Sequence, residues 1–109
     1  MKRKILLQPL AEEDIDNYFT YLEENAGPEI AVRFNDSVFL SLRLLRERPF
    51  LGSERLYLSP VLEGIRIWFV KGFENCLIFY RVSDRAIHIV RILHSSRDTE
   101  SIISTESVN

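Results

Sequence analysis

IRIWFVKGFENCLIFYRVSDRAIHIVRILH, residues 65–94, is the stretch on which the fold turns. Three runs within it, 65–71, 76–82 and 86–93, are dense in β-branched and aromatic residues, the composition that suits a pleated, half-buried surface. The breaks between them, Gly72-Phe73-Glu74-Asn75 and Ser83-Asp84-Arg85, are short enough to be hairpin turns, so the runs read as an antiparallel meander. Alternation places Ile65, Ile67 and Phe69 on one face and Arg66, Trp68 and Val70 on the other. In the second run Leu77, Phe79 and Arg81 oppose Cys76, Ile78, Tyr80 and Val82. Both faces are largely apolar. One must pack on helices, and the second needs a cover, either another chain or the protein's own tail.

Upstream, the period changes. Residues 4–8 form a short apolar run closed by Pro9, which suits an edge strand. Ala11, Ile15, Tyr18, Phe19 and Leu22 then repeat at helical spacing, with Glu12, Glu13, Asp14 and Asp16 crowding what reads as the first turn, at the positive end of the helix dipole. Asn25-Ala26-Gly27-Pro28 breaks this helix, Gly27 offering a left-handed C-cap and Pro28 a first helical position. A second helix runs over about 28–47 on a stripe of Ile30, Ala31, Phe34, Val38, Leu42 and Leu45, and Pro49 ends it. So tight a break makes the two helices an antiparallel hairpin. Residues 49–63 read as a long loop with a short extended piece at Leu56-Tyr57-Leu58, Gly27 and Gly52 serving as turn punctuation. The expectation is an α+β domain of order β-α-α-β-β-β over residues 1–98, followed by a flexible Ser/Thr-rich tail over 99–109.

A chain of 109 residues has room for one domain, burying roughly two-thirds of its unfolded surface. With 46% hydrophobic and 28% charged residues it is expected to fold and not to be disordered. The apolar run after Lys2-Arg3-Lys4 is too short for a signal sequence, and no run is long enough to span a membrane, so a cytoplasmic protein is expected. The single cysteine, Cys76, reads as a core residue in a reducing compartment. Net charge is −2 but segregated: residues 1–10 carry +3, residues 11–47 carry −6 and residues 64–98 carry +3. That excess is small for a protein living on phosphate backbone, although the basic half suits a patch of RNA or an acidic peptide. No glycine-rich phosphate loop, Cys/His metal spacing or Ser/His/Asp order stands out, so neither cofactor nor metal is predicted.

Ala11 with Asp14-Ile15, Pro49-x-x-Gly52, Gly64-Ile65-Arg66, Ile78-Phe79-Tyr80-Arg81-Val82 and Arg91-Ile92-Leu93-His94-Ser95-Ser96-Arg97-Asp98, in this order, resemble the RelE/ParE toxin superfamily over residues 4–98. The ending looks most like the ParE branch, departing from it in Ile92, Ser95-Ser96 and Ile65, none of which removes a polar group. The resemblance implies a type II toxin that inhibits DNA gyrase by binding it, is neutralised by a ribbon-helix-helix antitoxin in a hetero-oligomer, and reaches DNA only through that antitoxin. The antitoxin is expected to bury the apolar outer sheet face or the groove beside the helices. Arg66, Trp68, Tyr80, Arg81, Arg91, His94 and Arg97 are the expected partner-binding residues, with no catalytic residue.

Two alternatives stay open. A RelE-like ribosome-dependent ribonuclease would use Arg66, Arg81 and Arg91 as fixed cations and His94 as acid or base. Against it, Arg91 and His94 are three apart and point to opposite faces unless a bulge or strand end intervenes, and the acidic balance suits a phosphate-rich target poorly. The other is a non-toxic relative acting only as an antitoxin-bound co-repressor. The ordinary reading of Arg66, Arg81 and Arg97 is an ion pair with Asp84, Asp98 or the acidic helices, and that of His88 is pairing or packing.

Overall fold

The computed structural model describes residues 2–54, 60–96 and 102–103. Its order is β1 (Lys4–Leu7), α1 (Pro9–Asn25), α2 (Pro28–Glu47), β2 (Ser53–Glu54), a 3-10 turn (Pro60–Leu62), β3 (Arg66–Val70), β4 (Phe73–Val82) and β5 (Ala86–His94). The strands form one sheet in the order β1-β5-β4-β3-β2. β1 runs parallel to β5 and every other pairing is antiparallel. This is the expected α+β architecture, and β1 is the edge strand its proline suggested. The extended piece expected at Leu56-Tyr57-Leu58 lies outside the described residues; the short strand of the loop is Ser53–Glu54, paired with Ile67 and Arg66.

Pro9 both stops β1 and opens α1, because its fixed φ suits the first helical position and its missing N–H would have been unpaired there anyway. The helix therefore starts before Ala11, and only Glu12 falls in its first turn. Asp14 lies deeper and is buried, so it serves packing and not the dipole. Gly27 serves both helix ends, its N–H donating to the Leu22 carbonyl of α1 at 3.0 Å. Ala26 caps α1, and Gly27, at φ 101°, caps the start of α2 in a backbone region closed to other residues.

The β3–β4 turn is tighter than the sequence suggests. Lys71 and Gly72 make it, Gly72 at φ 81°, and Phe73 already belongs to β4. A register shift after Phe69 absorbs the extra residues. Between β4 and β5 a second shift pairs Phe79 with Arg91 but Tyr80 with Ile89, leaving Val90 as a bulge.

Alternation sorts the core as the strand pattern implies. Val70, Cys76, Ile78, Tyr80, Ile87, Ile89 and Ile92 pack with Ala11, Ile15, Phe34, Val38, Leu42 and Leu45 of the hairpin. Burying each large side chain here contributes roughly 1.5–3 kcal/mol. Phe79, Val90 and Leu93 form a second cluster with Leu62, Ile65 and Ile103, and Ile67, Leu77 and Ile102 pack against it. The face away from the helices is thus covered by the 3-10 turn and by two residues of the tail, Ile103 being buried. The rest of 99–109 lies outside the described residues. No described helix is long and apolar enough to cross a membrane.

Candidate functional site

β1 covers the outer edge of β5 only as far as Ile89, whose carbonyl accepts the Gln8 N–H. Beyond it the chain has turned into α1, and the edge would be left with an unpaired N–H at Ile92. Asp14 takes over. Its Oδ2 accepts Ile92 N–H at 2.9 Å and Arg91 Nε–H at 2.7 Å, while Oδ1 accepts from Arg91 Nη2 at 2.6 Å. Both side chains are over nine-tenths buried. Arg91, a candidate for partner contact or phosphate stabilisation, is committed to a two-point pair that pins α1 to β5, and in this conformation it presents no charge to a partner.

The far end of the sheet is organised by Tyr80. Its hydroxyl accepts Gly52 N–H and donates to the Pro49 carbonyl, both at 2.8 Å, holding the loop after α2 against the core. Burial pushes this phenol up, with the Gly52 N–H and the Arg66 charge acting against it. Tyr80 is fully buried, so it shapes the loop and touches nothing outside. Gly52 is there for that approach and not for a turn: a Cβ would stand 2.6 Å from Tyr80 Oη and 2.8 Å from the Ile67 carbonyl. Arg66, opposite Tyr80 on β3, donates to the Gly52 carbonyl at 2.7 Å and lies 3.8 Å from Glu54. Neither Asp84 nor a helix supplies its partner. Its guanidinium also sits over the ring of Phe50, 4.9 Å from the centroid, and Arg3 sits over the same ring at 5.6 Å. Sequence reasoning passed over Arg3 and Phe50; the available signal was an aromatic directly after the helix-ending Pro49, next to a basic chain start.

His94 ends β5 at the opposite end, opposite Cys76. Its Nδ1 accepts Ser96 N–H at 3.1 Å and lies 2.7 Å from Ser96 Oγ, so the neutral ring carries its proton on Nε2. It stands beside Tyr18, ring centroids 6.2 Å apart, and three adjoining hollows of about 150, 260 and 290 Å³ share these two residues. The Tyr18 side chain neighbours Cys76. Desolvation first, then that neighbour, raises Tyr18 to about 12, and burial raises Cys76 to about 11. Both are neutral near pH 7, which makes this thiol a poor nucleophile.

The remaining candidates are scattered. Trp68 is half-buried on the helix side and stacks on Phe69 at 4.5 Å. Arg81 pairs in register with His88 and donates to the Glu63 carbonyl at 3.3 Å. His88 has its Nε2 3.1 Å from Ser83 Oγ, in keeping with a pairing role. Arg97 lies outside the described residues. Arg66 and His94 share the helix side but are separated by two strand spacings and four residues of strand, about 16 Å. Among the described residues no group of three or more His, Cys, Asp or Glu side chains is arranged to hold a metal ion.

The family model described as "ParE toxin of type II toxin-antitoxin system, parDE" matches residues 5–99. The chain belongs to the ParE toxin family. Toxin ParE1 of Caulobacter vibrioides is 27% identical over 96 residues, covering 84% of this chain and 88% of its own length. A solved chain of the chromosomal ParDE toxin-antitoxin system from P. aeruginosa has the same fold, with a TM-score of 0.70 at 20% identity, over 85% of this chain and 96% of its own. In this ParE-family member strand, hairpin and sheet form one frame, and the candidate cations Arg66, Arg81 and Arg91 do not meet in one cleft.

Proposed function

We propose that this ParE-family toxin acts by binding a protein, DNA gyrase, and not by cutting RNA. The observation that carries the reading is the dispersal of the cations. RNA cleavage needs an acid or base and fixed positive charge within hydrogen-bond reach of one phosphate. Here Arg91 is neutralised by buried Asp14, Arg66 lies about 16 Å from His94 by strand geometry, and Arg81 belongs to the other sheet face. Gyrase as the target follows from likeness to the ParE branch. On the same reading the toxin works in the cytoplasm, is neutralised by a ribbon-helix-helix antitoxin in a hetero-oligomer, and contacts operator DNA only through it. Likeness to a ParDE system supports the antitoxin partner.

The test pairs two assays on purified protein. Inhibition of gyrase supercoiling, with ribosome-bound message left intact, is the expected result. Message cleavage in a translation extract, abolished by His94→Ala, would overturn the proposal in favour of a ribonuclease. Inactivity in both assays, with antitoxin binding retained, would instead mark a co-repressor.

A further inference from the structure

Phe50 is 61% exposed, the most exposed large apolar side chain among the described residues, yet two guanidiniums lie over its ring. Both are held from behind. Arg3 Nε donates to the Ser83 carbonyl at 2.7 Å, and Arg66 Nη1 donates to the Gly52 carbonyl at 2.7 Å. Backbone carbonyls orient these forks without cancelling their charge, unlike the carboxylate on Arg91. Among the described residues the acid paired with Arg66 is Glu54 at 3.8 Å, too long for a hydrogen bond, and its side chain is half exposed. Among the described residues Lys2, Lys4, Arg85 and the acid Asp84 line a hollow of about 390 Å³.

We propose that Arg3, Phe50 and Arg66 form a docking point for an acidic peptide segment of a partner protein, the two arginines taking a pair of carboxylates and the ring an apolar side chain between them. This rests on the reading of the chain as a protein-binding toxin. An ordered guanidinium fork fits a carboxylate in two-point fashion and loses little freedom on binding. Arginine beside an exposed aromatic is also the residue pairing that anchors protein interfaces. Because the guanidinium carbons lie 4.9 and 5.6 Å from the centroid of one ring, they stand at most the sum of those distances apart, a span that two flexible Glu side chains one helical turn apart, about 5–6 Å at Cβ, can bridge by splaying. Charge complementarity favours protein over nucleic acid here. Glu47, Glu54 and Asp84 are interspersed among the cations and would interrupt a phosphate track, whereas they leave single carboxylate positions open.

The test measures anisotropy of a short fluorescein-labelled helical peptide of Leu and Ala carrying two Glu one turn apart. The same peptide with Gln for Glu and a single-stranded DNA oligomer of matched length serve as comparators. Full-length protein is expected to bind the Glu peptide about tenfold tighter than the Gln peptide, with the oligomer weakest. Phe50→Ala and Arg3→Gln are each expected to weaken it about three- to tenfold at unchanged unfolding midpoint, while Arg43→Gln, on the exposed surface of α2, leaves it unaltered. Equal affinity for the Glu and Gln peptides, tighter binding of the oligomer, or insensitivity to both Phe50→Ala and Arg3→Gln would overturn the proposal. Gyrase inhibition is scored separately in these variants. Peptide binding without inhibition leaves this inference standing and removes the gyrase reading; inhibition without peptide binding does the reverse.

Discussion

Arg91 and Arg66 are arginines on strands of one sheet, and their surroundings could hardly differ more. At the α1–β5 junction Arg91 meets the Asp14 carboxylate, which also caps Ile92, and the pair is shut away from water. At the loop end of β3, Arg66 meets a carbonyl, a phenyl ring and a distant, half-exposed acid. A buried guanidinium requires a full counter-charge, because solvation lost on burial is replaced only by an ion with good geometry. A rim guanidinium needs only to be aimed. The first arrangement builds the molecule, and the second leaves charge to spend on a partner.

The largest expected effect breaks the first region. Asp14→Ala leaves a buried guanidinium without its counter-ion and an edge N–H without its acceptor, and should cost about 3–5 kcal/mol in urea unfolding. Arg66→Gln, which loses one hydrogen bond at a partly solvated site, should cost about 1 kcal/mol. Equal losses in the two variants would erase the distinction drawn between the regions.

Tyr80→Phe sharpens the second region. It strands the Gly52 N–H and the Pro49 carbonyl and should cost about 1–3 kcal/mol. Gly52→Ala, whose Cβ meets Tyr80 Oη, should cost a similar amount, and the double variant less than the sum, because both act on one contact. Additive losses would mean that the loop is held by something else.

A smaller effect lies at the His94 end and appears with pH. Tyr18 and Cys76 are acids that the fold keeps neutral, at about 12 and about 11 against ordinary values of 10.0 and 9.0. Below pH 9 both are protonated folded or unfolded, and their contribution is fully present. As pH rises from about 9 towards 12 the unfolded chain releases these protons first, so stability falls across that window. Tyr18→Phe combined with Cys76→Ala should flatten the descent of the urea midpoint. The smallest effect is expected from Glu47→Gln at the Lys2 surface pair, with no measurable change in midpoint.

Much of the frame was legible because it is written in local periods. The 3.6-residue stripes gave two helices, α2 over residues 28–47 as expected, and strand parity separated Ile78 and Tyr80 from Leu77 and Phe79, which the two core clusters reproduce. The local signals that were incomplete were the ones with two readings: Pro9 both stops β1 and starts α1, Gly27 serves the end of one helix and the start of the next, and Phe73 proved strand and not turn. Of the seven expected contact residues the structure leaves Arg66 beside an open aromatic, encloses Tyr80 and Arg91, and puts His94 among other aromatics at the far end.

Sequence by itself determined the helical hairpin, the meander and the need for covers on both faces of the sheet, since each follows from spacing between near neighbours. Only the tertiary structure decided which charges are saturated. Asp14 and Arg91 stand 77 positions apart, and Gly52 and Tyr80 stand 28 apart. Their meeting depends on β1 ending where α1 begins, on the bulge at Val90 and on the path of the loop after α2. No local period encodes such a coincidence of edges, and it is what makes one arginine structural and leaves another free to be tested as a contact.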